Sequence, residues 1–463
     1  MDSYRPAPAG YLEQRSLRRH ARILHLWAMG VGAVISGDFF GWNFGLQYGF
    51  QAMLGALVIA TVLYAGLCFS IAEMAAALPH TGGAYSFART AMGPWGGFIT
   101  GLAENMEYVL TPAVIVVGIG GYLGAIFGAP ASMAPFWWLL CYAVFVGLNC
   151  WGVELSFRFS VVVTVAALVV LGVFYGLAFT RLDLPRWSVG GSGTPLDALP
   201  FAIWFYLAIE QLPLAAEESH DPTRTLPRGL LAGFATLVVL AFATLLASSG
   251  VAPGAAVIAK STEPLLDSFQ GILGKGLNTS LLGAVACIGL VSSFHTIIFA
   301  YGRQIYSLSR AGYLPTSLSL THPRRRTPIR AMVAGAALGF LAALVVHLSP
   351  QDSPVGAVLL NMTVFGAVLA YVLQMGSYLA LRWRFPQLHR PYRSPLGIAG
   401  AVVSMAISLV VLAKLVQNGV LGPIIWMGLG IAYFAFYARK RLILAPEEEF
   451  AQHANTQNTT GSR

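Results

Sequence analysis

Charge is what this chain lacks most. Only 10% of its 463 residues are Asp, Glu, Lys or Arg, against about a quarter in ordinary soluble domains. With 56% hydrophobic residues and a mean hydropathy of +0.68, it cannot clothe itself in polar surface. That excludes a water-soluble globule and makes the bilayer its solvent. Cysteine is scarce as well. Cys68, Cys141, Cys150 and Cys287 lie in or beside apolar runs without metal-ligand spacing, so a disulfide framework and a thiolate metal centre are both excluded. Also missing are a phosphate-cradling loop, a nucleophile elbow and a paired His/Asp cluster, which argues against an enzyme and against a resident metal or cofactor. Long polar loops are absent too. The longest, 251–277, leaves no room for a soluble domain.

What is present is a succession of apolar runs of roughly 18–25 residues, the length that crosses a hydrocarbon core of about 30 Å. Twelve are read: 23–48, 51–77, 95–127, 134–152, 157–180, 198–216, 229–250, 278–307, 329–348, 355–380, 395–417 and 420–438. The organisation expected is an N-terminal segment 1–22, five helices over 23–180, five more over 198–380, an added pair over 395–438 and a polar tail 439–463, disordered from Pro446 onward. Residues 1–22 are polar and the first apolar run is too long for a signal core, so no cleaved leader is expected. The net charge of +9 is explained by its placement. With a cytoplasmic N-terminus, 23 of the 28 Lys and Arg fall on the cytoplasmic side, among them Arg324–Arg326 and Arg382–Arg393. Only Arg181, Arg186, Lys260, Lys275 and Lys414 lie opposite. This is the positive-inside asymmetry. It sets both termini in the cytoplasm of an inner-membrane protein and gives the basic clusters anionic lipid as partner. Nucleic acid is not needed to explain them.

The first apolar run contradicts itself. Residues 31–45 read Val-Gly-Ala-Val-Ile-Ser-Gly-Asp-Phe-Phe-Gly-Trp-Asn-Phe-Gly, with a carboxylate and four glycines at mid-span. Glycine costs a helix about 1 kcal/mol relative to alanine, and a charge at mid-bilayer costs at least about 2.5–3.5 kcal/mol. A span keeps such a segment when it is buried around a ligand, so an interruption at Ser36–Gly37–Asp38 marks a cation site. The competing reading is a packing kink with a snorkelling Asp. A second interruption is expected over Ala208–Pro213, because Pro213 removes a backbone donor. Two broken spans at equivalent places in two halves point to a transporter site between inverted repeats.

Two further stretches carry a resemblance. Ala72-Glu73-Met74 through Leu78-Pro79-His80-Thr81-Gly82-Gly83-Ala84-Tyr85-Ser86-Phe87-Ala88-Arg89, and Ala216-Glu217-Glu218-Ser219-His220-Asp221-Pro222-Thr223-Arg224-Thr225-Leu226-Pro227, resemble the signatures after helices 2 and 6 of the amino acid–polyamine–organocation (APC) transporter superfamily. Within it, Ile35-Ser36-Gly37-Asp38-Phe39-Phe40-Gly41-Trp42-Asn43 and Glu104-Asn105-Met106-Glu107-Tyr108 look like the ethanolamine permease branch. The resemblance implies an all-α polytopic membrane protein of twelve transmembrane helices, a leucine-transporter-type five-plus-five inverted repeat with helices 1 and 6 unwound. It also implies secondary transport of amines or amino acids. Amino acid carriers of the family have Gly-Ser-Gly where this chain has Ser36-Gly37-Asp38. A substrate carboxylate facing Asp38 would meet about 4 kcal/mol of repulsion at about 4 Å and an effective dielectric near 20. The sequence therefore favours a small cationic amine without a carboxylate, ethanolamine first, over an amino acid or polyamine.

The same resemblance names the other candidates. Glu107 and Tyr108 match cavity-lining positions, Trp204 an aromatic that covers the substrate, and Ile297 lies in the helix 8 stretch used near it. Glu104 shares a helix face with Glu107 and is read as either structural or coupling. Glu210 matches the acidic position at the helix 6 break, with a gating role. His295 follows Ser292-Ser293-Phe294 and is weighed as a coupling group against a hydrogen-bonded structural histidine. Trp42, Phe205 and Tyr206 could complete an aromatic box. Glu73, Arg89 and Glu218 are expected in gate or scaffold ion pairs. The position where some proton-coupled relatives place a lysine is Ala167 here, and Ser292 and Ser293 alone do not make a sodium site. Proton symport, exchange and facilitated diffusion stay open, as does a monomer or a homodimer.

Overall fold

The computed structural model describes residues 5–187, 191–274, 279–348, 355–417 and 421–446, together with Glu449. Most of the polar tail expected to be disordered lies outside the described residues. Every long apolar run forms helix. In order these are α1 (Ile23–Val34), α2 (Ser36–Phe39), α3 (Phe50–Ala77), α4 (Gly83–Phe127), α5 (Ala134–Trp151), α6 (Val153–Ala178), α7 (Pro195–Ile203), α8 (Pro222–Gly250), α9 (Ala255–Ile258), α10 (Pro264–Leu273), α11 (Thr279–Arg310), α12 (Ile329–Leu348), α13 (Val355–Arg384), α14 (Gly397–Gln417) and α15 (Leu421–Phe436). Among the described residues there is no strand, only bridges between Arg5 and Ile443 and between Ala21 and Ser219. Among the described residues nine helices are long and apolar enough to cross a membrane, or ten when the bent pair Ile23–Phe39 and Trp42–Tyr48 counts as one span. The broken segment around α7 and the short α15 fall below that length, so twelve crossings are not reached on length and composition.

Hydrogen bonding explains why helix dominates. A backbone in hydrocarbon has no water to satisfy its N–H and C=O groups, so it satisfies them internally. The outward faces then need no polar side chains. Leu139 on α5, Val162 and Val169 on α6, Leu341 on α12 and Leu409 on α14 all stand exposed, as lipid-facing residues do. The four cysteines are free thiols, three of them buried, in keeping with a packing role.

The core is formed by α1, α3, α4, α8, α11 and α13. Helix α4 bends at Gly93–Pro94 and packs most closely on α13 and α11. The loop 251–277 contains two short helices, α9 and α10, instead of irregular chain.

The N-terminal segment runs across one end of the bundle. The His20 and Ala21 N–H groups donate to the Glu218 carbonyl at 2.7 and 2.8 Å. The buried Arg15 stacks its guanidinium 3.6 Å from the Tyr11 ring centroid and donates to Ser319. Arg5 pairs with the chain near Ile443, so both described terminal segments lie on one face.

Candidate functional site

The first interruption differs in detail from the one expected. Helical structure continues through Ser36–Phe39, and the sharp change comes at Phe40, which is extended, and at Gly41, whose φ is +96°. A 44° bend separates Ile23–Phe39 from the 3-10 segment Trp42–Tyr48. The step at Ile35 is smaller. There the Ser36 N–H leaves the helix and donates to Ser293 Oγ at 2.9 Å, and Ser293 donates to the Gly32 carbonyl at 2.8 Å. Gly37 is required by its neighbour, since a Cβ at that position would come within 2.7 Å of the Trp204 carbonyl oxygen.

The second interruption begins four residues before the stretch Ala208–Pro213 where it was expected, and it has a different cause. Chain regularity ends at Ile203, turns run from Trp204, and Ala208 adopts a left-handed φ of +79° before a 3-10 helix over Ile209–Glu218. Pro213 sits inside that 3-10 segment and does not make the break. Trp204 ties the two interruptions together, its indole N–H donating to the Phe40 carbonyl at 2.9 Å. The Tyr122 hydroxyl donates to the Phe39 carbonyl, and the Gly41 N–H to Asn43 Oδ1. Several backbone groups freed at the breaks are therefore taken by side chains.

Asp38 is buried on α2 and turned toward α8. Thr244 donates to its Oδ1 at 2.7 Å, and the Thr244 and Tyr175 hydroxyls are 2.6 Å apart. Its second oxygen has no partner among the described residues. A carboxylate so placed, 2% exposed and without a cation, attracts one.

A second acidic group forms where α4, α11, α13 and the Ile209–Glu218 segment meet. Glu104 accepts from Gln304 at 2.8 Å and from Tyr108 at 3.3 Å. The Tyr108 hydroxyl is thus committed to a neighbouring carboxylate, and each Glu104 oxygen accepts from a neutral donor. Glu107 and Glu210 face each other within reach, with the Tyr371 hydroxyl and the backbone of Ala208 and Glu210 close to Glu210, but none of the four carboxyl oxygens is in a hydrogen bond of good geometry. Beside them the Tyr371 and Tyr64 hydroxyls pair at 2.8 Å. No ion pair among the described residues includes Asp38, Glu104, Glu107 or Glu210.

The remaining candidates separate. His295 lies apart, at the junction of α5, α6 and α11. Its Nδ1 is 3.1 Å from Asn149 Nδ2 and its Nε2 is 3.0 Å from Ser156 Oγ, with the Phe159 ring edge-on at 4.7 Å. Both ring nitrogens are in use, which is the geometry of a structural histidine. Ile297 is buried on α11. Trp42 stacks on Phe205 at 5.5 Å and the Tyr206 hydroxyl bonds Thr61, so these aromatics pack on one another. Glu73 pairs with Arg382 and Arg390, and Glu218 with Arg303, as scaffold pairs. Between α1, α6 and α11, Thr164 lies 3.0 Å from Ser292 Oγ and donates to the Ala28 carbonyl.

Sequence reasoning missed Thr164, Thr244, Gln304, Tyr64 and Tyr371. Each is a polar side chain within an apolar helix, a pattern that intramembrane energetics makes informative.

Comparison with known proteins gives this architecture its class. The family model described as amino acid permease matches residues 23–436. An uncharacterized transporter of Rhizobium meliloti (strain 1021) is 30% identical over 80% of this chain and 81% of its own. The methylthioribose transporter of Bacillus subtilis (strain 168) is 25% identical over 93% and 96%, and a branched-chain amino acid permease of the same organism is 24% identical over 92% and 94%. These relatives are transporters, not enzymes. A polytopic helical membrane protein with matches of this extent belongs to the amino acid permease family, within the amino acid–polyamine–organocation superfamily.

Proposed function

We propose that this transporter imports a small organic amine lacking a carboxylate, ethanolamine being the best candidate. The observation that carries the reading is the buried Asp38 at the step between α1 and α2, with one oxygen bonded to Thr244 and none of its neighbours cationic. A cargo ammonium satisfies it; a cargo carboxylate is repelled. Asp38 and Glu107 are assigned to the ammonium. Ser36, Gly37, Trp204, Tyr108 and Ile297 are assigned to the walls around the cargo, and Glu104 and Glu210 to coupling or gating. His295 has its ring nitrogens occupied and is withdrawn from that role.

The architecture proposed is twelve crossings, with 23–180 and 198–380 as inverted five-helix repeats and 395–438 as an added pair. Both termini are cytoplasmic, in the inner membrane. The two broken spans, joined through Trp204 and Gly37, then rock together to alternate access.

Uptake of labelled ethanolamine into proteoliposomes tests the reading. Asp38→Asn and Glu107→Gln should each reduce it at least tenfold; full uptake by both would overturn the assignment. A second reading is favoured by the relative named a branched-chain amino acid permease. It makes the cargo an amino acid, and competition by leucine or alanine but not by ethanolamine would establish it.

A further inference from the structure

Two carboxyl groups in contact inside a membrane pose a question of charge. Glu107 is fully buried and Glu210 is 3% exposed. They come from different elements, Glu107 from the middle of α4 and Glu210 from the segment that follows the left-handed Ala208. The titratable groups around them are Glu104 and Tyr108 on α4, Tyr64 and Cys68 on α3, and Tyr371 on α13. None of these can supply a positive charge. Two carboxylates at this range cannot both stay ionised in a low-dielectric interior. Breaking a buried ion pair is strongly destabilising because one charge is left uncompensated, and here two like charges would be left. Something positive must therefore sit between them whenever the site is closed.

We infer that the Glu107–Glu210 pair is a single-occupancy cation site that holds either a proton or the primary ammonium group of the cargo, and so exchanges one for the other. This rests on the amine reading, in which Asp38 and Glu107 hold the ammonium, and adds Glu210 to that set. The exchange balances simply. An arriving R–NH3+ distributes its three N–H bonds among the facing carboxyl oxygens, the shared O–H bond breaks, and the proton leaves to water on the open side. Neither occupant can bind while the other is present, and the doubly ionised empty pair is too costly to close upon. The site should also discriminate by hydrogen-bond donors. A quaternary ammonium offers no N–H to these oxygens.

The test is calorimetric titration of the full-length detergent-solubilised protein with ethanolamine, in three buffers of different ionisation enthalpy and from pH 6 to pH 8. The expected result is about one proton released per amine bound, with Kd falling about tenfold for each unit of rising pH. Choline should bind at least 100-fold more weakly. Glu107→Gln/Glu210→Gln should lose both binding and proton release. Should that double variant not fold, the proton count on the unaltered protein decides alone. Ethanolamine binding with no proton release and a pH-independent Kd would overturn the exchange site and leave the amine reading standing. Full affinity in a folded double variant would do the same. If neither ethanolamine nor propylamine nor putrescine binds, the amine reading itself falls.

Discussion

Two sets of buried carboxylates occupy this protein, and they are treated in opposite ways. At the terminus-bearing face each acid has a guanidinium. Glu218 meets Arg303 at 2.8 Å with both side chains at most 1% exposed, Glu73 meets Arg382 and Arg390 at 2.5 and 3.1 Å, and the partly exposed Glu217 beside them meets Arg310 at 2.6 Å. Inside the helix bundle Asp38, Glu107 and Glu210 have hydroxyls or each other, and no cation among the described residues. The protein has plenty of arginine and does not use it there. The first set is closed chemistry, which holds helices in place. The second is open chemistry, whose missing charge must come from outside the chain.

The comparison is most easily broken at the closed set. Arg303→Ala leaves Glu218 ionised and unpaired in a fully buried position, and the expected loss is about 3–5 kcal/mol, seen as a fall in the thermal midpoint of the purified protein. A fall no larger than that of a surface Arg→Ala variant would mean that this pair is not structural. A gentler break lies at Glu104, the acid inside the bundle that does have neutral donors. Gln304→Leu removes its 2.8 Å bond and should cost about 1–3 kcal/mol, while sparing much of the uptake if Glu104 is only a scaffold.

At the open set the readout should move from stability to transport. Gly37→Ala places a Cβ against the Trp204 carbonyl oxygen, which is backbone and cannot rotate away. Uptake should fall at least tenfold, with the midpoint changing less than in Arg303→Ala. Thr244→Val keeps the volume and deletes the donor to Asp38. The carboxylate then loses a bond worth about 1.5–3 kcal/mol, and a KM shift of a few-fold should accompany it. An unchanged KM would detach Asp38 from the cargo.

Much of this contrast can be read in the sequence, and the reasons are physical. The long spans announce themselves through hydropathy and Asp38 through the cost of charge in hydrocarbon, while Glu107 and Glu210 come from the family resemblance. The position of the breaks was less legible. Ser36–Gly37–Asp38 has the composition of an unwound turn, but Ser293 and Thr244, from helices more than 200 residues distant, supply the bonds that let it stay helical. The bend passed instead to Gly41, where a left-handed φ costs nothing. Ala208 gave no local signal at all, because alanine resists the conformation it adopts. The meeting of Glu107 with Glu210 is a tertiary fact, set by how α4 packs against the second broken span, and no spacing along the chain encodes it.

A third carboxylate completes the series and predicts the smallest effect. Asp197 opens α7 in water, where Thr194 donates to its Oδ2 through both N–H and hydroxyl at 2.9 and 2.7 Å, and Lys414 reaches Oδ1 at 3.1 Å. The Thr194 hydroxyl and N–H, with Lys414 beside them, hold its carboxyl down at about 2 from an ordinary 3.8. A depressed value in the folded state means the acid favours folding above its unfolded value, and that this contribution fades as pH falls from about 4 toward 2. Asp197→Asn should therefore lower the thermal midpoint slightly at pH 7 and by progressively less in acid, without changing uptake. Solvent screens the group, so a shift rivalling that of Arg303→Ala would mean that exposure does not separate weak carboxylates from strong ones in this fold, and the contrast between paired and unpaired acids would need another basis.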